Sequence, residues 1–174
     1  NILEHLSQQE IVALDLETTG LNPYQGNRIF SAIVSTSELD FYFNFYEGED
    51  YLGNVAPEET ILPLSVLDHI AGALQGATVF IHNAKFDLSF LDFWGFDFSH
   101  SRVLDTEVMA RLVNNTLASY SLANLGKIIG HDKDDEVEKC ISKNKLYTLV
   151  DVGKKRPRKD KHYNLVPFEI ISNY

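Results

Sequence analysis

The sequence predicts an α/β fold in which a mixed, mostly five-stranded sheet is flanked by helices. Three observations predict it. The chain opens with apolar, β-branched and aromatic runs of strand length. Further strand-like runs then alternate with segments whose apolar residues recur at spacings of three and four. Gly76, Gly95 and Gly130 close three of those helical segments. At 174 residues, 44% apolar and 23% charged, the chain is sized for one domain, 1–174. That composition excludes disordered, collagen-like and coiled-coil classes, and no apolar run is long enough to span a membrane.

Ile11 to Leu16 (IVALDL) is an apolar run broken by one acid and followed by Thr-Thr-Gly, the pattern of a central strand ending in a turn. Arg28 to Ser35 and Asp40 to Tyr46, separated by four residues, add two strands and complete a meander. Pro57 to Leu74 takes helical spacing, with Pro63 as a start for the helix proper. Thr78 to Ile81 is a fourth strand, Asn83 an N-cap, and Ala84 to Phe93 a helix. Arg102 to Leu104 is a fifth strand, with Asp105 capping a helix to Val113. Ser121 to Ile129 repeats this grammar, and Asp134 to Ser142 is a polar helix. Asn144 to Lys161 has no clear period and reads as a mobile excursion, after which Pro167 at N1 opens a last helix to Tyr174.

Fifteen Lys and Arg against twenty-five Asp and Glu give a net charge of -10, the wrong sign for gripping a polyanion by bulk electrostatics. The distribution is uneven: KKRPRKDK, Lys154 to Lys161, is +5 and leaves -15 elsewhere. The single Cys140 can form no internal disulfide, which fits a reducing, cytoplasmic compartment. The chain starts at Asn1 without a basic or apolar leader and reads as an excerpt of something longer rather than a secreted precursor.

Asp15 and Glu17 lie two apart at the end of the first strand, so both leave the same face while Leu14 and Leu16 enter the core. Such a pair repels itself unless a hard cation sits between its oxygens, although acids at strand ends are also commonly just solvated. In HNAKFDLSFL, Asn83 and Asp87 are four apart and share one helix face, while Phe86, Phe90 and Leu91 can pack on the sheet. Asp87 could equally be a first-turn acid answering the helix dipole. His82 reads as a sheet-end residue and Asp105 as a helix cap rather than as ligands.

DLETTG followed about seventy residues later by HNAKFDLSFL resembles the first two motifs of the DEDD 3′–5′ exonucleases, whose fold is ribonuclease H-like and three-layered. NLVPFEIISNY resembles the tyrosine form of that superfamily's third motif, as found in proofreading domains of bacterial and phage family A DNA polymerases. The resemblance covers essentially the whole chain. It implies a catalytic set of Asp15, Glu17, Asp87 and Tyr174, with the three acids holding two divalent cations, Mg2+ or Mn2+. With an ordinary pKa of about 10, Tyr174 would orient the attacking water rather than deprotonate it. The family's fourth carboxylate falls four residues past Tyr174, so the fragment is expected to be weakly active or inactive. His131 with Glu136 has the histidine-type spacing of the third motif but sits in an acidic run that more simply forms a solvated helix face.

Matched position by position, the resemblance also implies substrate contacts from Thr18 and its turn, an apolar wedge at Leu21, and sugar and backbone contacts from Asn83 and Phe86. The implied partners are a single-stranded DNA 3′ end and a polymerase domain in the parent chain, in a bacterial or phage-infected cytoplasm. Two alternatives stay open: an RNA-processing exonuclease of the same superfamily, and an inactive exonuclease-fold scaffold that binds DNA. The role of the run from Lys154 to Lys161 is left between holding DNA and a solvated loop.

Overall fold

The expected sheet is present in the computed structural model, which describes residues 1–131, 136–151, 153 and 157–173. Its strands are β1 (Ile11–Thr18), β2 (Ile29–Ser35), β3 (Asp40–Asn44), β4 (Thr78–Ile81) and β5 (Arg102–Asp105), in the order β3-β2-β1-β4-β5. β1 pairs parallel with β4, Ile11 opposite Thr78, and β4 parallel with β5, Ile81 opposite Asp105. β2 and β3 are joined by four residues in a turn where the Thr36 N–H donates to the Leu39 carbonyl at 2.9 Å. So short a link can join only antiparallel strands, which makes the sheet mixed. Along β1 the buried residues are Val12, Leu14, Leu16 and Thr18, every second position. Each buried aliphatic side chain contributes about 1.5–3 kcal/mol, and a one-residue slip would bury Asp15 and Glu17 in its place, so the register is firmly specified.

The helices are α1 (Ile2–Ser7), α2 (Val66–Ala73), α3 (Ala84–Phe93), α4 (Thr106–Val113), α5 (Leu122–Ile128), α6 (Glu136–Asn144) and α7 (Phe168–Ile171). Six were expected; α1, short and burying only Leu6, was not. The helix expected from Pro57 is a correction: residues Glu58–Thr60 form one 3-10 turn, and the α-helix begins only at Val66. Pro63 disfavours helical backbone at Leu62. The Leu62 N–H instead donates to the Asn44 carbonyl at 2.8 Å, beside an Asn44–Ile61 bridge. In α7, Pro167 is the N-cap residue rather than N1.

The stretch read as a mobile excursion is also corrected. Residues β6 (Tyr147–Val150) and β7 (Arg158–Lys161) form a separate two-stranded antiparallel ribbon, with Tyr147 opposite Lys161 and Leu149 opposite Lys159. It is entered through Lys145, whose φ of 56° ends α6 in the left-handed conformation usually given to glycine. There the Leu146 N–H donates back to the Ile141 carbonyl at 3.0 Å.

The chain divides into two compact units: residues 1–16, 32–42 and 63–133 form the first, and 17–31, 43–62 and 134–174 the second. In the first, Leu14, Leu16, Ile70, Val79, Ile81 and Phe90 are core residues, and α1 packs on α2. In the second, Ile29, Phe30, Phe43, Val137, Ile141 and Ile171 are, and α6 packs on α7. Cys140 is a buried free thiol of the second unit. Among the described residues no helix is long and apolar enough to cross a membrane.

Candidate active site

Because β4 and β5 run parallel and in register, both end at one level, and the chain turns there into α3 and α4. Asp105, the last residue of β5, holds both helix starts. Its Oδ1 accepts from the N–H groups of Glu107 (2.8 Å) and Val108 (3.2 Å) at the head of α4. The same carboxylate accepts from the N–H groups of Asn83 (3.2 Å) and Ala84 (2.9 Å) at the head of α3. Asn83 stands at the N-cap position with φ 60°, a left-handed conformation asparagine tolerates, and its side chain makes no capping bond. The expectation that Asn83 caps α3 is therefore corrected: with its backbone left-handed, the capping oxygens come from Asp105. Alongside, His82 Nδ1 and Thr106 Oγ1 lie 3.0 Å apart, a second link between the two strand ends.

Burial alone would raise the Asp105 pKa, but the backbone amides of Val108, Ala84, Glu107 and Asn83 outweigh it and hold the carboxyl below the usual carboxylate range. A carboxylate depressed on folding stabilises fully above its unfolded value and loses that contribution as pH falls through the folded one. Asp105→Ala should cost about 2 kcal/mol, as for a strong cap. In urea titrations the deficit should be present at neutral pH and shrink as the medium is acidified below about pH 4.

This clamp sets α3 so that Asp87, one turn in, is buried at 2% exposure with Oδ1 accepting the Leu16 N–H at 3.0 Å. Burial and, next, the negative charge of Asp15 push the Asp87 carboxyl up from 3.8 to about 8, against the Leu16 amide that lowers it. Asp15 is exposed at the end of β1, with Glu17 half-buried two residues on along the same strand face. Among the described residues no group of three or more His, Cys, Asp and Glu side chains converges closely enough to hold a metal ion. The structure thus brings together Asp15 and Asp87, two carboxylates whose mutual repulsion in a partly dry setting is what a hard cation relieves. The donor chemistry fits a divalent metal.

Of the expected substrate contacts, Phe86 is half-buried with its ring centroid 5.1 Å from that of Phe90, and Asn83 is exposed at the head of α3. In the second unit Thr18 is buried and its hydroxyl donates to the Gly20 carbonyl at 2.7 Å. The Thr19 N–H donates to the Arg28 carbonyl at 2.9 Å. A Cβ at Gly20 would stand 2.5 Å from Asn27 Oδ1, so a side chain there would push aside the Asn27 amide that donates to the Asn22 carbonyl at 2.9 Å. Leu21 follows, 46% exposed. His131 and Glu136 are exposed. Tyr174 and residues 154–156 of the basic run lie outside the described residues. Thr106 and the double role of Asp105 escaped sequence reading; the signal was an Asp-Thr pair ending a strand parallel to the one that ends in His-Asn.

Comparison with known proteins gives the family and the fold. The family described as 3′-5′ exonuclease matches residues 1–161. The 3′-5′ exonuclease DinG of Bacillus subtilis is 29% identical over 140 residues, which are 70% of this chain and 15% of DinG, so the chain spans a small part of that relative. Among solved structures, NrnC of Brucella melitensis with bound Mg2+ is similar with a TM-score of 0.53 at 21% identity, over 74% of this chain and 57% of that one. RNase D of Escherichia coli is similar with a TM-score of 0.54 at 19% identity, over 79% of this chain and 32% of that one. At these identities the two structures share the fold. Since the family match takes in both acidic motifs and the whole five-stranded sheet, the chain belongs to the 3′-5′ exonuclease family.

Proposed function

We propose that the chain is a divalent-metal-dependent exonuclease domain that removes nucleotides from single-stranded DNA 3′ ends, as the editing part of a DNA polymerase I-like protein in a bacterial or phage-infected cytoplasm. The observation that carries the reading is the buried Asp87 carboxyl, raised to about 8 beside Asp15: a carboxylate pair needing a cation, on the two motifs of a 3′-5′ exonuclease. Asp15, Glu17 and Asp87 would hold two ions, Mg2+ or Mn2+. Such ions supply a bound water of lowered pKa and neutralise charge on the leaving 3′ oxygen.

The residues do the rest. Asp105 and the left-handed Asn83 fix the start of α3 and so the Asp87 oxygens. Leu21, exposed at the turn after β1, would wedge beside the terminal base, and backbone groups near Thr18 would meet the nucleotide. Asn83 and Phe86 face its sugar and backbone, and Tyr174 orients the attacking water by hydrogen bonding. Contacts of wedge and aromatic type accept any base, which suits removal of mispaired ends that unstack cheaply.

The test is hydrolysis of matched DNA and RNA oligonucleotides by the full-length protein with Mn2+ or Mg2+, products resolved by length. Single-nucleotide shortening of DNA from the 3′ end is expected. Preference for RNA would overturn the editing role and favour a processing activity of the kind named for RNase D, an exoribonuclease involved in structured RNA processing. Metal binding without cleavage of either would leave a DNA-binding scaffold.

A further inference from the structure

Resting on the nuclease reading, we propose that the β6–β7 ribbon binds the phosphate backbone of the polynucleotide whose end is removed. The segment 143–161 carries eight of the fifteen cations and only two acids, a net +6 in a chain of -10. Among the described residues of that segment five cations, Lys143, Lys145, Arg158, Lys159 and Lys161, stand against Asp151 and Asp160, a local excess that attracts a polyanion which the acidic remainder of the chain repels. The pairing of Tyr147 with Lys161 and Leu149 with Lys159 puts these four side chains on one face of the ribbon. Lys161 is engaged: Nζ lies 2.7 Å from both Glu138 oxygens, and the Tyr163 hydroxyl donates to the same carboxylate at 2.9 Å. That bridge anchors the ribbon to α6 and leaves Lys159, exposed, with its ammonium 4.2 Å from the centre of the Tyr147 ring. Leu149 beside it is 59% exposed, and Arg158 is exposed on the opposite face.

A cation over an aromatic ring with a bare aliphatic neighbour is the combination that holds single strands: charge for phosphate, flat apolar surface for bases. Protection of strand edges would account for lysines on β7. It does not account for the half-buried Tyr147 and exposed Leu149 beside them, nor for Lys145, an exposed cation kept in a left-handed conformation that glycine would adopt without strain.

The experiment measures anisotropy of a labelled single-stranded oligonucleotide of about 16 nucleotides, with EDTA present so that nothing is cut, across a salt series. Lys145→Gln/Lys159→Gln should lower the slope of log affinity against log salt by about 1.4, that is about 0.7 for each lost phosphate contact. Arg102→Gln/Lys127→Gln, equal in charge removed, should leave the slope unchanged. Tyr147→Leu should weaken binding about fivefold or more. Equal slopes in both double variants overturn the proposal. So does a ribbon variant that keeps its oligonucleotide affinity while losing affinity for phosphatidylserine vesicles. Hydrolysis by the wild type is scored separately: cutting without ribbon-dependent binding sinks this inference alone, and ribbon-dependent binding without cutting sinks the nuclease reading alone.

Discussion

Asp87→Asn is expected to abolish metal-dependent hydrolysis while making the metal-free protein more stable at pH about 8. Both effects have one origin. Burial, then the Asp15 charge, raise the Asp87 carboxyl from 3.8 to about 8, so the folded state prefers it protonated. The sign follows: a carboxyl raised on folding contributes fully below its unfolded value, and the contribution is lost as pH rises through the folded one. Between pH about 4 and about 8 the wild type should therefore lose a few kcal/mol that the variant keeps, since the amide cannot ionise and its Oδ1 still accepts the Leu16 N–H. Thermal melts in EDTA should nearly coincide at pH about 4 and diverge towards pH about 8, with the variant above the wild type. Adding Mn2+ should raise the wild-type melting temperature and leave the variant where it is. Activity should fall by more than about 100-fold, the upper end for losing a residue that only supports a metal ligand. Coincident melts at both pH values, or retained hydrolysis, would remove Asp87 from the metal site.

What could be read from the sequence was what one chain segment sets by itself. The β1 acids declared their face through strict alternation with Val12, Leu14 and Leu16, a period that one chain segment sets by itself. The bounds of α3 and α4 were legible for the same local reason: each follows directly on a strand, and apolar spacing of three and four sets its length. What failed depended on partners far along the chain. Asn83 looks like a cap, yet the capping oxygens at that turn come from Asp105, which pairing of β4 with β5 brings there. The helix from Pro57 lost its first turns to a bridge with Asn44. The ribbon was invisible because Arg-Lys-Asp-Lys has little strand propensity of its own, and its order comes from pairing with β6 and the Lys161–Glu138 bridge. The charge of Asp87 was least legible of all, since burial of a helix residue against a distant strand is not a property of any motif.

Asp15 permits a sharper test, because its effect on Asp87 is electrostatic and its own side chain is exposed. Asp15→Asn should lower the Asp87 pKa without restoring it, since burial, the larger cause, remains. In metal-free protein at pH about 8, Asp15→Asn should then stabilise by less than Asp87→Asn. The double variant should be no more stable than Asp87→Asn alone, because a neutral amide in place of the Asp87 carboxylate gives the Asp15 charge nothing to repel. That shortfall from additivity is the coupling energy of the two carboxylates, and a double-mutant cycle isolates it. Calorimetric titration with Mn2+ should show the opposite preference: either single variant binds more weakly than wild type, by about tenfold or more. A pair that opposes folding when empty and favours metal when filled has one physical account, repulsion between two carboxylates relieved by a shared cation. Strict additivity at pH about 8 would show that Asp15 and Asp87 do not sense each other, and unchanged Mn2+ affinity in Asp15→Asn would place the cation elsewhere.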